Sequence, residues 1–293
     1  MNFLDYLKLR EQKGSPESPL IMGILNVTPD SFSDGGKFVN EDVAVARALQ
    51  MVDEGADIID IGGESSGPGS KDVSLEEELK RVIPAVKALK MALLQTQQDT
   101  QKRSIISVDT YKAEVARQAL EAGADMINDV TALRGDSKMA EVLAKYPHVP
   151  VVIMYSKDPT ARTTRENVQY DDVIATVRKF LEERVALGVK AGIERERFII
   201  DPGMGAFLSG DPKYSLEILR RLQEFSGMNL PVLIGASRKG FIGQVMGGLP
   251  VDQRLEGSLA CAAIAMQNGA KILRVHDVKE TRKFATMLAA IGN

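Results

Sequence analysis

Residues 41–62 read EDVAVARALQMVDEGADIIDIG, and this stretch decides the fold. In its first half, apolar residues recur every three or four positions, which is typical of one face of an amphipathic helix. Its second half is a short apolar run of the kind found in strands that are buried on both faces. Gly55 lies between the two, where the end of a helix favours a left-handed residue. The stretch therefore predicts a helix that turns directly into a buried strand.

Similar turns recur along the chain, because EGAD at 54–57 resembles AGAD at 122–125 and NGAK at 268–271. Short apolar runs, most of them rich in Ile, Val or Leu, predict strands at 20–25, 57–62, 104–108, 125–128, 150–154, 197–200, 231–235 and 271–275. Amphipathic patterns predict helices at 41–54, 74–94, 113–121, 138–145, 172–190, 213–224, 254–267 and 279–290.

These eight strand-then-helix units predict an α/β protein folded as a single (β/α)8 TIM barrel. We expect the barrel to span residues 20–293, after a polar N-terminal extension at residues 1–19. A doubly wound parallel sheet is the alternative fold. Since no linker rich in Pro, Gly or Ser divides the chain, the sequence favours one domain.

Composition excludes several classes of protein. The 293 residues are 26% charged and 44% hydrophobic, which is typical of a globular chain. A net charge of −3 without a basic tract argues against nucleic acid or a membrane surface as the partner. The single cysteine, Cys261, lies in a small apolar run, so we expect it to be buried in a protein of a reducing compartment, the cytoplasm. Two histidines, His148 and His276, are too few for a His-rich metal site.

Polar residues cluster where the predicted strands end. In a barrel these ends share one rim, which is where active sites form. Each residue could instead cap a helix, because Ser, Asp and Asn favour that position. The rim residues are Asn26, Asp60, Glu64, Asp109, Asn128, Asp201, Ser237, Arg238, Lys239, Arg274 and His276.

These residue types suit a flat polar heterocycle together with an anion. Carboxylates and an amide at Asp109, Asn128 and Asp201 can accept hydrogen bonds from an amino and ring N–H edge. Asp109 could also stabilise a developing positive charge. Positive charge for a phosphate group comes from Lys239, Arg274 and His276.

The sequence resembles the dihydropteroate synthases over about residues 20 to 291. Residues 23–38 (GILNVTPDSFSDGGKF) are similar to the first signature of that family, and residues 57–69 (DIIDIGGESSGPG) to the second. Further motifs follow in the family order, namely SVDTYK at 107–112, INDV at 127–130, DPGMG at 201–205, SRKGFIG at 237–243 and RVHDV at 274–278.

The resemblance implies a dimeric barrel enzyme of folate biosynthesis. Such enzymes join 4-aminobenzoate to (7,8-dihydropterin-6-yl)methyl diphosphate with the help of Mg²⁺, and diphosphate leaves first in a dissociative mechanism. It implies catalytic roles for Asp109, Lys239 and Arg274, and pterin contacts for Asp109, Asn128, Asp201 and Lys239. It implies diphosphate contacts for Asn26, Arg274 and His276, with Asn26 also touching the metal. It implies a 4-aminobenzoate pocket that includes Phe32, Ser66, Pro68, Phe207 and Gly240.

The chain departs from the family pattern where the family binds 4-aminobenzoate. Gly67 replaces an arginine, Tyr155 replaces a histidine, and residues 205–208 read GAFL where the family tends to GFGK. One interpretation is drift that another loop residue, such as Phe207, compensates. The other is a pocket with altered sulfonamide sensitivity, because DPGMGAFLS at 201–209 resembles a subgroup that includes acquired resistance enzymes.

Two alternative functions stay open. A pterin-domain methyltransferase shares the barrel and the pterin-binding residues but lacks the NVTPDSFSDGG loop and the SRK motif. A non-catalytic homologue could bind pterin or another folate enzyme. Residues 162–165 (RTTR) follow the fifth strand, and we interpret them as an exposed loop.

Overall fold

The computed structural model describes residues 18–28, 37–96 and 104–292. Within them, eight parallel strands form one sheet in the order β6-β5-β4-β3-β2-β1-β8-β7. The strands are β1 (Leu20–Asn26), β2 (Ile58–Gly62), β3 (Ile105–Asp109), β4 (Met126–Asp129), β5 (Val151–Met154), β6 (Phe198–Asp201), β7 (Leu233–Ile234) and β8 (Ile272–Val275).

Helices alternate with the strands and cover the outside of the sheet. They are α1 (Lys37–Asp53), α2 (Leu75–Thr96), α3 (Ala113–Glu121), α4 (Met139–Ala144), α5 (Val173–Lys190), α6 (Pro212–Arg220), α7 (Gly240–Val245), α8 (Leu255–Gln267) and α9 (Val278–Gly292). This arrangement confirms the predicted TIM barrel and excludes the doubly wound sheet, because the first strand pairs with the last and a bridge of Ile200 with Val232 joins the two ends of the strand order.

The barrel closes unevenly. Strand β1 pairs with β8 over four register positions, from Leu20 with Ile272 to Gly23 with Val275. Between β6 and β7, by contrast, the structure has an isolated bridge of Ile200 with Val232. We call this joint the β6–β7 seam. It is the weakest contact between neighbouring strands of the ring.

Two apolar layers hold the fold together. Between the strands and the helices lies a continuous core that includes the fully buried Phe198 and Phe225. Inside the barrel, at its lower end, lies a smaller cluster with one apolar side chain from most strands, comprising Leu20, Met22, Ile58, Met126, Val152, Ile199, Leu233 and Ile272. The interior is therefore filled from below and offers space only at the carboxyl ends of the strands.

Most element boundaries agree with the sequence predictions to within a few residues. The turn glycines Gly55, Gly123 and Gly269 have φ values of +103°, +107° and +94°, as left-handed helix ends require. The predicted helix 213–224 is wrong at its end, because α6 stops at Arg220 and a 3-10 helix follows at Leu222–Met228. Helix α7 was not predicted from the sequence. Cys261 is buried as expected.

Candidate active site

The alternation of side chains along each strand places the polar residues inside the barrel. Successive side chains of a strand point to opposite faces, so residues two apart share a face. In each of four strands an apolar interior residue is followed two positions later by a polar one. These pairs are Ile58 and Asp60, Met126 and Asn128, Ile199 and Asp201, and Ile272 and Arg274. The same period that fills the barrel floor thus builds a polar layer directly above it.

The centre of this layer is the guanidinium of Arg274. Its Nε donates to Asp60 Oδ2 at 2.7 Å, and its Nη2 donates to Asp109 Oδ2 at 2.7 Å. The same Asp60 oxygen accepts from Asn128 Nδ2 at 3.0 Å. Asp60 is fully buried, and Asn128 is 3% exposed. Asp60 therefore fixes the orientation of both an arginine and an amide at the base of the site.

Charge pairing sets the protonation of this centre. Burial alone would lower the pKa of Arg274, but the carboxylates of Asp60 and Asp109 hold that pKa above its usual range. Burial raises the pKa of Asp109 to about 7; Arg274 opposes that increase, and the nearby carboxylates of Asp60 and Glu78 add to it. The hydrogen bond from the permanently charged Arg274 therefore favours the ionised form of Asp109 against the effect of burial.

Asp201 and Lys239 lie across the β6–β7 seam from one another. Burial raises the pKa of Asp201 to about 6, while a hydrogen bond from the Gly203 N–H at 2.7 Å acts in the opposite direction. Burial lowers the pKa of Lys239 to about 8, although Asp201 and Asp109 oppose this decrease. The Lys239 ammonium stands 4.7 Å above the ring of Phe207. An acid and a base with shifted pKa values, Asp201 and Lys239, therefore lie in one cleft, which is typical of a functional site.

His276 supplies a neutral ring rather than a cation. Burial and the neighbouring Arg274 and Arg238 lower its pKa to about 4. Its Nδ1 lies 3.1 Å from the hydroxyl of Ser237, whose oxygen also accepts from the His276 backbone N–H at 3.2 Å. A neutral imidazole can donate one hydrogen bond to an anion at neutral pH.

A cavity of about 870 Å³ opens above this layer. Among the residues expected from the sequence, its lining includes Asn26, Ser66, Pro68, Asp109, Phe207, Lys239, Gly240, Arg274 and His276. Asn128 and Asp201 are buried in the polar layer below the cavity. Asn128 donates to Asp60, and Asp201 accepts from the Gly203 N–H. Phe32 lies outside the described residues. The structure thus brings the expected pterin, diphosphate and arylamine residues to one cavity or its floor.

Three of the departures from the family pattern line this cavity, namely Gly67, Ala206 and Phe207. Tyr155 does not line it. Its hydroxyl lies 3.1 Å from that of Tyr170, and the residue is 6% exposed. Tyr155 is therefore a packing residue behind the loops rather than part of their inner surface.

Sequence reasoning missed the ion pairs beneath the loops. Lys112, just after β3, pairs with both Glu64 and Glu78, and Glu78 is 1% exposed. Interpreting 162–165 as an exposed loop was wrong for its first half, because Arg162 pairs with Glu64 and Thr163 is 3% exposed. The sequence carries no signal for these contacts, since they join residues of loops and of α2 that are distant along the chain.

The donor set constrains how a metal could bind. Within the described residues, no group of three or more His, Cys, Asp or Glu side chains could hold an ion. Asp60 and Asp109 are already bonded to Arg274. Asn26, at the end of β1, offers an amide oxygen beside the cavity. Mg²⁺ often keeps several waters and binds through few protein ligands plus substrate phosphates, so a single amide ligand fits that mode.

Comparisons with known proteins first identify the class of protein. The family described as "Pterin binding enzyme" matches residues 22–276. Since this match spans most of the chain, the protein belongs to the pterin-binding enzymes.

The particular branch follows from individual relatives. The dihydropteroate synthase of Bacillus subtilis is 43% identical over 278 residues, covering 94% of this chain and 90% of that protein. The dihydropteroate synthase of Escherichia coli is 46% identical over 264 residues, covering 90% and 88%. The solved structure of Xanthomonas albilineans dihydropteroate synthase with 4-aminobenzoic acid superposes with a TM-score of 0.83 at 43% identity, covering 94% and 93%. The chain is thus a member of the dihydropteroate synthases, a family of transferases.

Within the described part of the chain, no helix is long and apolar enough to cross a membrane.

Proposed function

We propose that this protein condenses (7,8-dihydropterin-6-yl)methyl diphosphate with 4-aminobenzoate to give 7,8-dihydropteroate and diphosphate. The observation that carries the proposal is the joint placement of buried hydrogen-bond acceptors and an anion-binding set at one cavity. A related synthase from Xanthomonas albilineans, 41% identical with a TM-score of 0.80, has been solved in complex with 7,8-dihydropteroate.

The pterin would lie on the buried polar layer. Asp201, poised near neutrality by burial, would accept hydrogen bonds from the amino group and ring N–H of the heterocycle. Asn128 would contact another edge, held in place by its bond to Asp60. Lys239 would donate to a ring acceptor from the opposite side of the β6–β7 seam. A site built for these hydrogen bonds discriminates strongly against rings that lack the matching groups.

Catalysis would proceed by loss of diphosphate before attack by the amine. Arg274, Lys239 and Asn26 would face the leaving group, and neutral His276 would donate a hydrogen bond to it. The carboxylate of Asp109 would stabilise positive charge at the pterin methylene carbon as the C–O bond breaks. The arylamine nitrogen would then attack that carbon and lose a proton. Mg²⁺, held by Asn26 and the phosphates, would supply charge neutralisation of the leaving group.

The arylamine would occupy the outer part of the cavity, against Ser66, Pro68, Phe207 and Gly240. The three family departures that line the cavity lie in this part, and they support altered sulfonamide sensitivity as a component of the proposal. The test compares the inhibition constant of a sulfonamide with the KM for 4-aminobenzoate in the same buffer. A drug that binds as tightly as the substrate contradicts this component.

The main test uses the purified chain with the dihydropterin diphosphate and Mg²⁺, with and without 4-aminobenzoate. We expect diphosphate release that depends on 4-aminobenzoate and forms dihydropteroate in equal amount. Asp201→Asn should abolish the reaction, whereas Asp211→Asn, at the cap of α6, should retain it. Binding of pterin without turnover would favour the non-catalytic homologue.

We also propose that the protein is a homodimer and works in the cytoplasm. Four large apolar side chains at the end of α7, on the 3-10 helix Val251–Gln253 and on α8 are between 38% and 55% exposed, namely Val245, Met246, Val251 and Ile264. Exposed apolar patches of this kind mark interaction surfaces. Light scattering should give about twice the chain mass of 31.9 kDa, and Val251→Asp should yield monomers. A wild-type monomer at micromolar concentration contradicts the dimer.

A further inference from the structure

The loop after β5, residues 155–172, forms a continuous set of hydrogen bonds with the loop after β6. Every residue from 206 to 210 is bonded to it. The bonds are Thr163 Oγ1 to Ala206 O at 2.8 Å, Lys157 N to Phe207 O at 2.9 Å, Tyr170 Oη to Leu208 O at 2.6 Å, Ser209 Oγ to Val168 O at 3.0 Å and Gly210 N to Glu166 O at 2.9 Å. This loop therefore fixes the wall of the cavity that carries Ala206 and Phe207.

The same loop also holds the loop after β2, residues 63–74. Arg162 pairs with Glu64 and Asp72, and its Nη2 donates to the carbonyl of Lys71 at 3.0 Å. The Thr163 backbone N–H donates to the Ser66 carbonyl at 3.3 Å. Two consecutive residues of one loop thus contact the opposite wall of the cavity, which carries Ser66 and Pro68.

Two of the residues that make these contacts are largely buried. The Glu64 side chain is 7% exposed, and its second oxygen pairs with Lys112. Thr163 is 3% exposed, and its neighbour Ala161 packs in a small apolar cluster with Phe207. Loss of Arg162 would leave Glu64 paired with Lys112 alone and one of its oxygens without a donor in a nearly buried position, so the loop has to rearrange.

We propose that Arg162 and Thr163 are positioning residues for the arylamine substrate, which set the separation of the two cavity walls. Arg162 acts from outside the cavity, and Thr163 lies at its edge between the two walls. This inference rests on the proposed function only in naming that substrate. Neither wall loop reaches the other through its own side chains in the hydrogen bonds of the described residues. The loop after β5 is therefore the element that couples them.

Loss of these contacts should weaken the binding of 4-aminobenzoate specifically. The pterin groups Asp109, Asn128 and Asp201 belong to strands, and their hydrogen bonds do not involve Arg162 or Thr163. The arylamine groups Ser66 and Phe207 belong to the two loops that Arg162 and Thr163 join. Loss of the coupling should therefore raise the KM for 4-aminobenzoate without a matching change in the KM for the pterin diphosphate.

The test is steady-state kinetics with both substrates varied, on Arg162→Gln, Arg162→Lys and Thr163→Val. We expect the KM for 4-aminobenzoate to rise about tenfold in Arg162→Gln, with the other KM changed less than about twofold. Arg162→Lys should recover part of the loss. The control is Arg178→Gln on α5, whose side chain pairs with Glu182 and is 36% exposed. Unchanged KM values, or equal increases in both, overturn the proposal.

Hydrogen exchange gives a second readout that needs no turnover. In Arg162→Gln, the amides of residues 63–74 and 206–210 should exchange faster, while those of β3 and β4 keep the wild-type rate. Uniformly faster exchange would mean general destabilisation and would overturn the proposal. A wild-type chain that forms no dihydropteroate would refute the proposed function, whereas the exchange result would still decide the coupling of the loops.

Discussion

At the scale of single residues, two buried groups of opposite charge should respond to pH in opposite senses. Asp201, with a pKa of about 6, loses its negative charge on acidification, and Lys239, with a pKa of about 8, loses its positive charge at alkaline pH. Asp109, with a pKa of about 7, also loses its negative charge on acidification. We expect kcat/KM for the pterin diphosphate to be bell-shaped, with an acidic limb near pH 6 to 7 from the two carboxylates and an alkaline limb near pH 8 from Lys239. Lys239→Arg should move the alkaline limb upward. A flat profile from about pH 5 to 9 contradicts this assignment.

The Asp201 carboxylate should also lower the stability of the fold at neutral pH. Its pKa rises from 3.8 to about 6 on folding, so the folded state holds the proton more tightly and stability decreases as pH increases through that window. The increase corresponds to about 3 kcal/mol above pH 6. Asp201→Asn should therefore raise the free energy of unfolding by about 1–2 kcal/mol at pH 7 while abolishing activity. Urea unfolding at pH 7 and pH 4 is the measurement, and an equal gain at both values contradicts it.

The polar site residues at the strand ends could be predicted because the sequence pattern shows where each strand ends. Asp109, Asn128 and Asp201 each follow an apolar strand, and the barrel gathers those ends on one rim. Asp60 was visible as a rim residue, but its bonds to Arg274 and Asn128 were not, because they join strands that are distant along the chain. Pattern reasoning therefore located the site and left its internal pairing open.

At the scale of elements, the loop after β6 depends on one glycine. Gly203 has φ +73°, and a Cβ there would lie 2.4 Å from the Tyr155 carbonyl oxygen. Gly203→Ala should cost about 2–4 kcal/mol and displace Asp201, since backbone strain and a clash act together. Thermal unfolding and activity are the measurements.

The matched control for that change is Gly269→Ala. Gly269 has φ +94° but no atom within 4 Å of the added Cβ, so it carries the conformational cost alone, about 1–2 kcal/mol. Activity should be retained in the control and lost in Gly203→Ala. Equal losses of stability in the two variants would show that the carbonyl contact is unimportant.

Elements differ in how far the sequence specified them. The long helices α2 and α5 have clear periodicity and appear close to their predicted bounds, at Leu75–Thr96 and Val173–Lys190. Helix α7 spans only Gly240–Val245, which is too short for a periodic signal, and its first residue was expected as a pocket residue. Loop conformations were beyond pattern reasoning because tertiary hydrogen bonds determine them.

At the scale of the whole molecule, the pterin pocket spans the weakest joint of the barrel. Asp201 ends β6, and Lys239 follows β7, so a ligand held by both connects the two sides of the β6–β7 seam. A pterin at about 100 times its Kd should raise the free energy of unfolding by about 2.7 kcal/mol. Amide protection should increase most in residues 198–205 and 231–239. Protection spread evenly over all strands contradicts this coupling.

The β6–β7 seam also determines when the binding pocket forms as the chain is synthesised. As the chain leaves the ribosome, β1 to β6 can pair one after another, whereas the pairing of β8 with β1 joins segments about 250 residues apart. The pocket that holds Asp201 and Lys239 does not exist until the two sides of the seam meet at Ile200 and Val232. A newly made chain would acquire affinity for its pterin only when the ring is complete, so ligand capture would report successful folding.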